Sequence, residues 1–205
     1  MLEHTVKPGD SIPSIAFEHG LFPDTIWNHP DNAELKKKRQ DPNVLLPGDI
    51  VHVPDKREKT MSKPAEKLYK FRRKGVPSLL KFQLMKDGKP RAHEKYKLEV
   101  GDRTYNGATD GEGCLKEWVS PSAQSGKLIL SEQETYMLAL GHLDPEGTES
   151  GARARLVNLG YLSKADAPLE EYKDALESFQ ADQKLSQNGV LDAATQKKLK
   201  VKHGT

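Results

Sequence analysis

Residues equipped for chemistry are present in this chain, but their spacing assembles no reactive centre. Histidines stand at positions 4, 19, 29, 52, 93, 142 and 203. None forms a His-x-His or His-x-x-x-His pair, and no Cys-x-x-Cys lies beside one. Those are the spacings at which one strand or helix face turns two ligands toward a zinc ion. The sequence therefore supplies no metal ligand set, and no cofactor is expected. Cys114 is the single cysteine, which excludes an intramolecular disulfide framework. Gly113 before it and Leu115-Lys116-Glu117-Trp118 after it read as a strand leaving a turn, so a buried structural thiol is expected. A nucleophilic thiol would need a base brought to it by the fold. Hydrolysis by paired carboxylates needs two acids held roughly 5–10 Å apart. The 30 acidic residues stand in no glycosidase pattern, and no serine elbow or phosphate-binding loop is present. No catalytic residue is assigned, and the expectation is a binding protein rather than an enzyme.

Charge and length narrow the partners. The 205 residues carry 32 basic and 30 acidic side chains, a net charge of +2. That balance argues against a nucleic-acid binder driven by phosphate neutralisation. The runs Lys36-Lys37-Lys38-Arg39 and Lys70-Phe71-Arg72-Arg73-Lys74 read as solvated faces. No window approaches the ~18 apolar residues of a membrane span. No charged stretch followed by an apolar run marks a secretory signal near Met1. Synthesis in the cytoplasm is expected, with any action in the periplasm or at a cell wall depending on delivery by another machine.

The elements that would position a binding surface fall into three blocks, and the fold class expected is multidomain α+β. In residues 1–54, a strand begins at His4-Thr5-Val6-Lys7 and turns at Pro8-Gly9-Asp10. Ser11 is placed to cap a helix over 12–19, with Ile12, Ile15 and Ala16 on one face. Phe22-Pro23-Asp24 starts a second helix containing Ile26 and Trp27, and a closing strand follows Leu46-Pro47-Gly48-Asp49. Residues 55–66, nearly free of apolar side chains, read as a linker. Residues 67–143 alternate short apolar strands with turn signals, including Lys86-Asp87-Gly88-Lys89-Pro90, Asn106-Gly107 and Asp110-Gly111-Glu112-Gly113. They predict a small antiparallel β-sandwich. Asp87, Asp102, Asp110 and Glu112 cap turns rather than form an EF-hand-like calcium loop. Residues 144–205 read as three helices: one from Glu149 or Ser150 to Gly160, one over 168–184, and one capped by Asp192 and reaching Leu199.

Two of these blocks resemble known families. His4-Thr5-Val6-Lys7-Pro8-Gly9-Asp10-Ser11, Asn28-His29-Pro30 and Leu46-Pro47-Gly48-Asp49-Ile50 resemble a LysM module, a βααβ fold. The chain departs from that family in a long charged insert, Asp31 to Pro42. Leu156, Leu159-Gly160-Tyr161, Phe179-Gln180, Asn188-Gly189-Val190, Thr195 and Leu199 resemble the three-helix peptidoglycan-binding domain attached to many cell-wall enzymes. Its usual Asp-Gly-x-x-Gly turn is replaced by Ala165-Asp166-Ala167-Pro168. The middle block resembles carboxypeptidase-regulatory or transthyretin-like repeats through the Gly107-to-Gly113 turn. Cell-wall transpeptidases that share the C-terminal domain place their cysteine after His-Gly, whereas Cys114 follows Gly-Glu-Gly.

The resemblances imply a ligand, peptidoglycan or another N-acetylglucosamine-containing glycan. In the LysM family the sugar lies between two loops, here Gly9, Asp10, Ser11 and Ile12, facing Asn28, Pro30, Val44 and Leu45. In the C-terminal domain, Tyr161 and Gln180 are the positions placed to meet a stem peptide. The order of blocks resembles accessory proteins of type VI secretion and phage-like contractile injection systems, so secretion-system or effector proteins are expected partners. Two alternatives stay open: a structural adaptor using both modules for protein contacts, and a cell-wall hydrolase with a cryptic site in 67–143.

Overall fold

The computed structural model describes residues 1–57, 60–70, 76–86 and 88–204. Among them the chain is mixed α/β, with six α-helices and several small antiparallel sheets. Its buried apolar residues gather into three clusters, one each from the N-terminal, middle and C-terminal stretches. No helix among the described residues is long and apolar enough to cross a membrane.

The N-terminal stretch runs β1 (Leu2–Thr5), α1 (Ile12–His19), α2 (Pro23–Trp27), a 3₁₀ turn (Pro30–Asn32), α3 (Ala33–Arg39) and β2 (Ile50–Val53). β1 pairs antiparallel with β2, from Leu2 opposite Val53 to Thr5 opposite Ile50. Helix α1 starts where the chain can satisfy its own free amides. Ser11 accepts from Ser14 N at 3.2 Å while Ser14 Oγ accepts from Ser11 N at 2.8 Å, a reciprocal cap. Ile12, Ile15 and Ala16 are buried, as their spacing predicts.

The insert departs from expectation. Residues 31–42, read as a charged excursion, fold into most of the 3₁₀ turn and all of α3 and enter the core. Leu35 packs in the N-terminal cluster. Asn32 is fully buried, donating to the carbonyls of Ile26 and His52 at 2.8 Å each and accepting from His52 N at 2.8 Å. It ties the end of α2 to β2 through their backbone groups. Arg39 is not a solvated cation: its side chain is 7% exposed and forks onto Asp49, itself 6% exposed, at 2.6 and 2.7 Å. Lys36, Lys37 and Lys38 do face solvent.

Residues 55–57 and 60–70 form no helix or strand and are exposed, while Glu58 and Lys59 of the expected linker lie outside the described residues. In the basic run at 70–74, the same holds for all but Lys70.

The middle stretch contains β3 (Ser78–Gln83), the short pair β4 (Met85–Lys86) and β5 (Lys89–Pro90), then β6 (Lys95–Val100), β7 (Arg103–Ala108), β8 (Cys114–Val119), β9 (Ser125–Ser131) and β10 (Glu134–Ala139). β10, β9, β6 and β7 form one sheet, and β3 with β8 another. Both give side chains to a single cluster around Leu98, Leu115 and Leu128. Two tyrosines tie the sheets together: Tyr96 Oη donates to Glu117 at 2.8 Å and Tyr105 Oη to the Trp118 carbonyl at 3.1 Å. Burial and the facing Glu117 carboxylate push the Tyr96 hydroxyl up to about 12.

Asn106-Gly107 is not a turn but lies within β7, opposite Lys97 and Tyr96. The glycine answers a packing demand: a Cβ there would stand 2.6 Å from Tyr96 Oη. A side chain at 107 would force the Tyr96 ring to shift, so a turn-like dipeptide sits inside a strand. Asp110 caps its turn as expected, accepting from Glu112 N at 3.0 Å and Cys114 N at 2.9 Å. Asp87 falls outside the described residues. Cys114 is half-buried rather than buried.

The C-terminal stretch holds α4 (Glu149–Asn158), α5 (Leu169–Asp182) and α6 (Ala193–His203). Helix α4 starts at Glu149, one of the two expected starts, and Thr148 before it is the cap, accepting from Gly151 N at 3.0 Å. Asp192 caps α6 through Thr195 N at 2.8 Å. Leu156, Leu176, Phe179 and Leu199 are all at most 1% exposed. Burying each side chain of that size stabilises the fold by about 1.5–3 kcal/mol.

Candidate functional site

The loop after β1 and the loop before β2 meet. Ile12 N donates to the Pro42 carbonyl at 2.8 Å, which sets residues 9–12 beside residues 41–45. Gly9 takes φ +90°, closing the turn. Asp10 is half-buried and accepts from Lys7 N at 2.8 Å, with His4 Nε2 at 2.9 Å on the same oxygen. Ser11 spends its hydroxyl on the α1 cap. Ile12, Val44 and Leu45 are core side chains, 0%, 4% and 4% exposed. These three can offer a ligand only backbone groups and the floor beneath it.

On the far side, Asn28 and Pro30 are exposed. Asn28 ends α2, and its Oδ1 accepts from Lys36 Nζ at 2.6 Å, while the same ammonium stands 5.8 Å over the Trp27 ring. Thus α3 lays a cation across the edge that a sugar would approach. Behind it, Asp49 holds α3 to the turn before β2. Burial opposes the charge on Asp49. Arg39, the Leu46 amide and Lys38 together outweigh it and hold the carboxyl below the usual carboxylate range.

The loop pair is not free on every side. A Cβ on Gly9 would lie 3.1 Å from both Gln124 Nε2 and the His142 ring, and one on Gly141 would lie 2.7 Å from the Gly9 carbonyl oxygen. Two glycines therefore let the first loop seat against the end of the middle stretch. The C-terminal stretch also approaches it. Arg155 is fully buried, donating to the carbonyls of Asp144 at 2.7 Å and Gly151 at 2.9 Å. Burial lowers its pKa, and the carboxylates of Glu146, Asp41 and Asp144 act the other way. Asp41 belongs to the loop before β2, so the charge on that loop acts on Arg155.

The C-terminal positions separate. Tyr161 is half-buried, edge-on to Phe179 with ring centroids 5.4 Å apart, and donates to Asp182 at 2.8 Å. Its hydroxyl is pushed up to about 12 by burial and by Asp182. Gln180 is fully buried. It donates to Asn188 Oδ1, the Val190 carbonyl and Thr195 Oγ1, and accepts from the amides of Asn188 and Gly189, all within 2.8–3.1 Å. Every polar site on its amide is taken by the 188–195 loop. Gln180 is thus a clamp for that loop, and Tyr161 is the member of the pair with surface to offer.

A shallow depression over β6, β7 and β9, lined by Lys95, Asn106, Ile129 and Glu132, contains none of the expected site residues. Sequence spacing also missed one constellation: His4 of β1 is brought to the adjacent pair Glu18 and His19 at the end of α1. No local pattern could reveal it, because His4 comes from a different element than the other two. Comparison with known proteins found no matching family model, curated protein or solved structure.

Proposed function

We propose that the chain is a non-catalytic peptidoglycan-binding and targeting protein, accessory to a secretion or phage-like injection system. In this reading, residues 1–54 are a LysM-like domain and 55–66 a linker. Residues 67–143 are a β-sandwich spacer, and 144–205 a helical peptidoglycan-binding domain. The observation that carries the reading is the loop pair joined by Ile12 N and the Pro42 carbonyl. It brings together the two loops between which the LysM resemblance places a sugar, with the buried side chains of Val44 and Leu45 behind them. Tyr161 supplies a second contact on the helical end. Two weak contacts on one polymer gain through effective concentration.

A specific observation favours a second reading, the structural adaptor. Gly9 seats against Gln124 and His142, and Lys36 covers Asn28. Loops occupied in this way suit docking to protein. Sedimentation with purified peptidoglycan separates the two. The full chain is expected to pellet with the wall, and removal of both 1–54 and 144–205 is expected to abolish pelleting. Pelleting that survives the double removal, or is absent from the full chain, overturns the wall-binding reading.

A further inference from the structure

We propose that His4, Glu18 and His19 form a binding site for a divalent transition-metal ion, with zinc the best match to their chemistry. One ligand atom from each of the three lies within 4.8 Å of the others. The two imidazoles meet edge to face, centroids 6.1 Å apart and planes at 86°. Two nitrogens and a carboxylate oxygen form a borderline donor set that suits zinc and its neighbours. Calcium and magnesium call for oxygen throughout. Three protein ligands leave a fourth tetrahedral position for water or another ligand.

Two further observations point the same way. His4 Nε2 is committed to Asp10 Oδ2 at 2.9 Å. A carboxylate hydrogen-bonded to a histidine fixes the orientation of the ring, which is how metal-bound imidazoles are held. His19 Nε2 is shut off from solvent and has no hydrogen-bond partner among the described residues. An imidazole nitrogen so placed carries a desolvation cost that a hydrogen bond or a metal bond would offset. Glu18 is exposed, so an ion can reach the cluster from solvent. Because His4 belongs to β1 and Glu18 and His19 to the last turn of α1, a bound ion would staple the strand to the helix. This proposal is independent of wall binding.

The test uses the full-length chain freed of metal and titrated with zinc by calorimetry, with cobalt absorption as a report of coordination. One equivalent should bind and raise the melting temperature. Glu18→Gln, a change at an exposed position that leaves the core untouched, should weaken zinc at least about tenfold, and Asp10→Asn about 10–100-fold. His19→Gln should abolish the equivalent and the tetrahedral cobalt band, while His93→Asn, a histidine of the middle stretch, should change neither. The proposal is overturned by any of three results: no zinc uptake by the intact chain, an affinity unchanged in Glu18→Gln, or a loss in His93→Asn as large as that in His19→Gln.

Discussion

Arg39 and Asp49 show how a charged residue in a basic run can be a core residue. Their side chains are 7% and 6% exposed and share two hydrogen bonds. Removing one partner strands the other in a dry site. Asp49→Ala should therefore cost about 3–5 kcal/mol, read as a shift in the denaturant midpoint. Arg39→Met with Asp49→Leu should recover part of that loss; the remainder reflects the Leu46 amide, which loses its acceptor at 3.0 Å. The sign with pH follows from the lowered carboxyl. Asp49 contributes fully above its unfolded pKa of about 3.9, and the contribution disappears as pH falls through the lower folded value. The acid limb of the stability profile should flatten in the alanine variant. Neighbouring Lys37, by contrast, pairs with Glu34 at the open surface, where such a contact adds little.

At the scale of elements, two glycines mark close approaches, one by a side chain and one by backbone, and the backbone approach leaves no room for even a methyl group. Gly107 lies beneath Tyr96. Gly151, in the first turn of α4, would carry a Cβ 2.1 Å from the Pro145 carbonyl oxygen. Gly151→Ala should destabilise the C-terminal helices by about 1–3 kcal/mol, even though alanine is the better helix former. Helical circular dichroism on heating would show it. The same elements explain what the sequence made legible. Caps at Ser11 and Asp192, apolar spacing in α1 and α5, and the alternation in β6 and β8 are local signals, and they placed most helices and strands within a residue or two. The glycine in β7 and the core role of α3 were hidden because each depends on a neighbour distant in the chain: Tyr96 for one, Asp49 and His52 for the other. For the candidate site, sequence picked out two loops that do meet, but not the fate of each side chain. A buried glutamine and an exposed one read alike until the loop that consumes Gln180 is in place.

Across the whole molecule, the convergence of Gly9, Gln124, Gly141 and His142 joins the N-terminal loops to the rest of the chain. Gly141 takes φ +76°, so a side chain there is strained as well as obstructed. Gly141→Val should part this contact while leaving the three apolar clusters intact. Hydrogen exchange at residues 8–12 should rise, with exchange in α5 unchanged. If the contact shields loops that bind glycan as proposed, affinity for chitooligosaccharide in calorimetry should rise in the same variant. Unchanged exchange at residues 8–12 would show that the loops are held by their own turn alone.

The pairing of Leu2 with Val53 has a consequence for how this protein can be rearranged. A unit whose first and last strands lie side by side enters and leaves through one doorway. It can be spliced into a surface loop of an unrelated host, or lifted out, without asking the host chain to span any distance. The geometry that closes the small sheet of residues 2–53 thus sets their two ends side by side, with the contact of Gly9 against Gly141 the seam that a transplant would have to part.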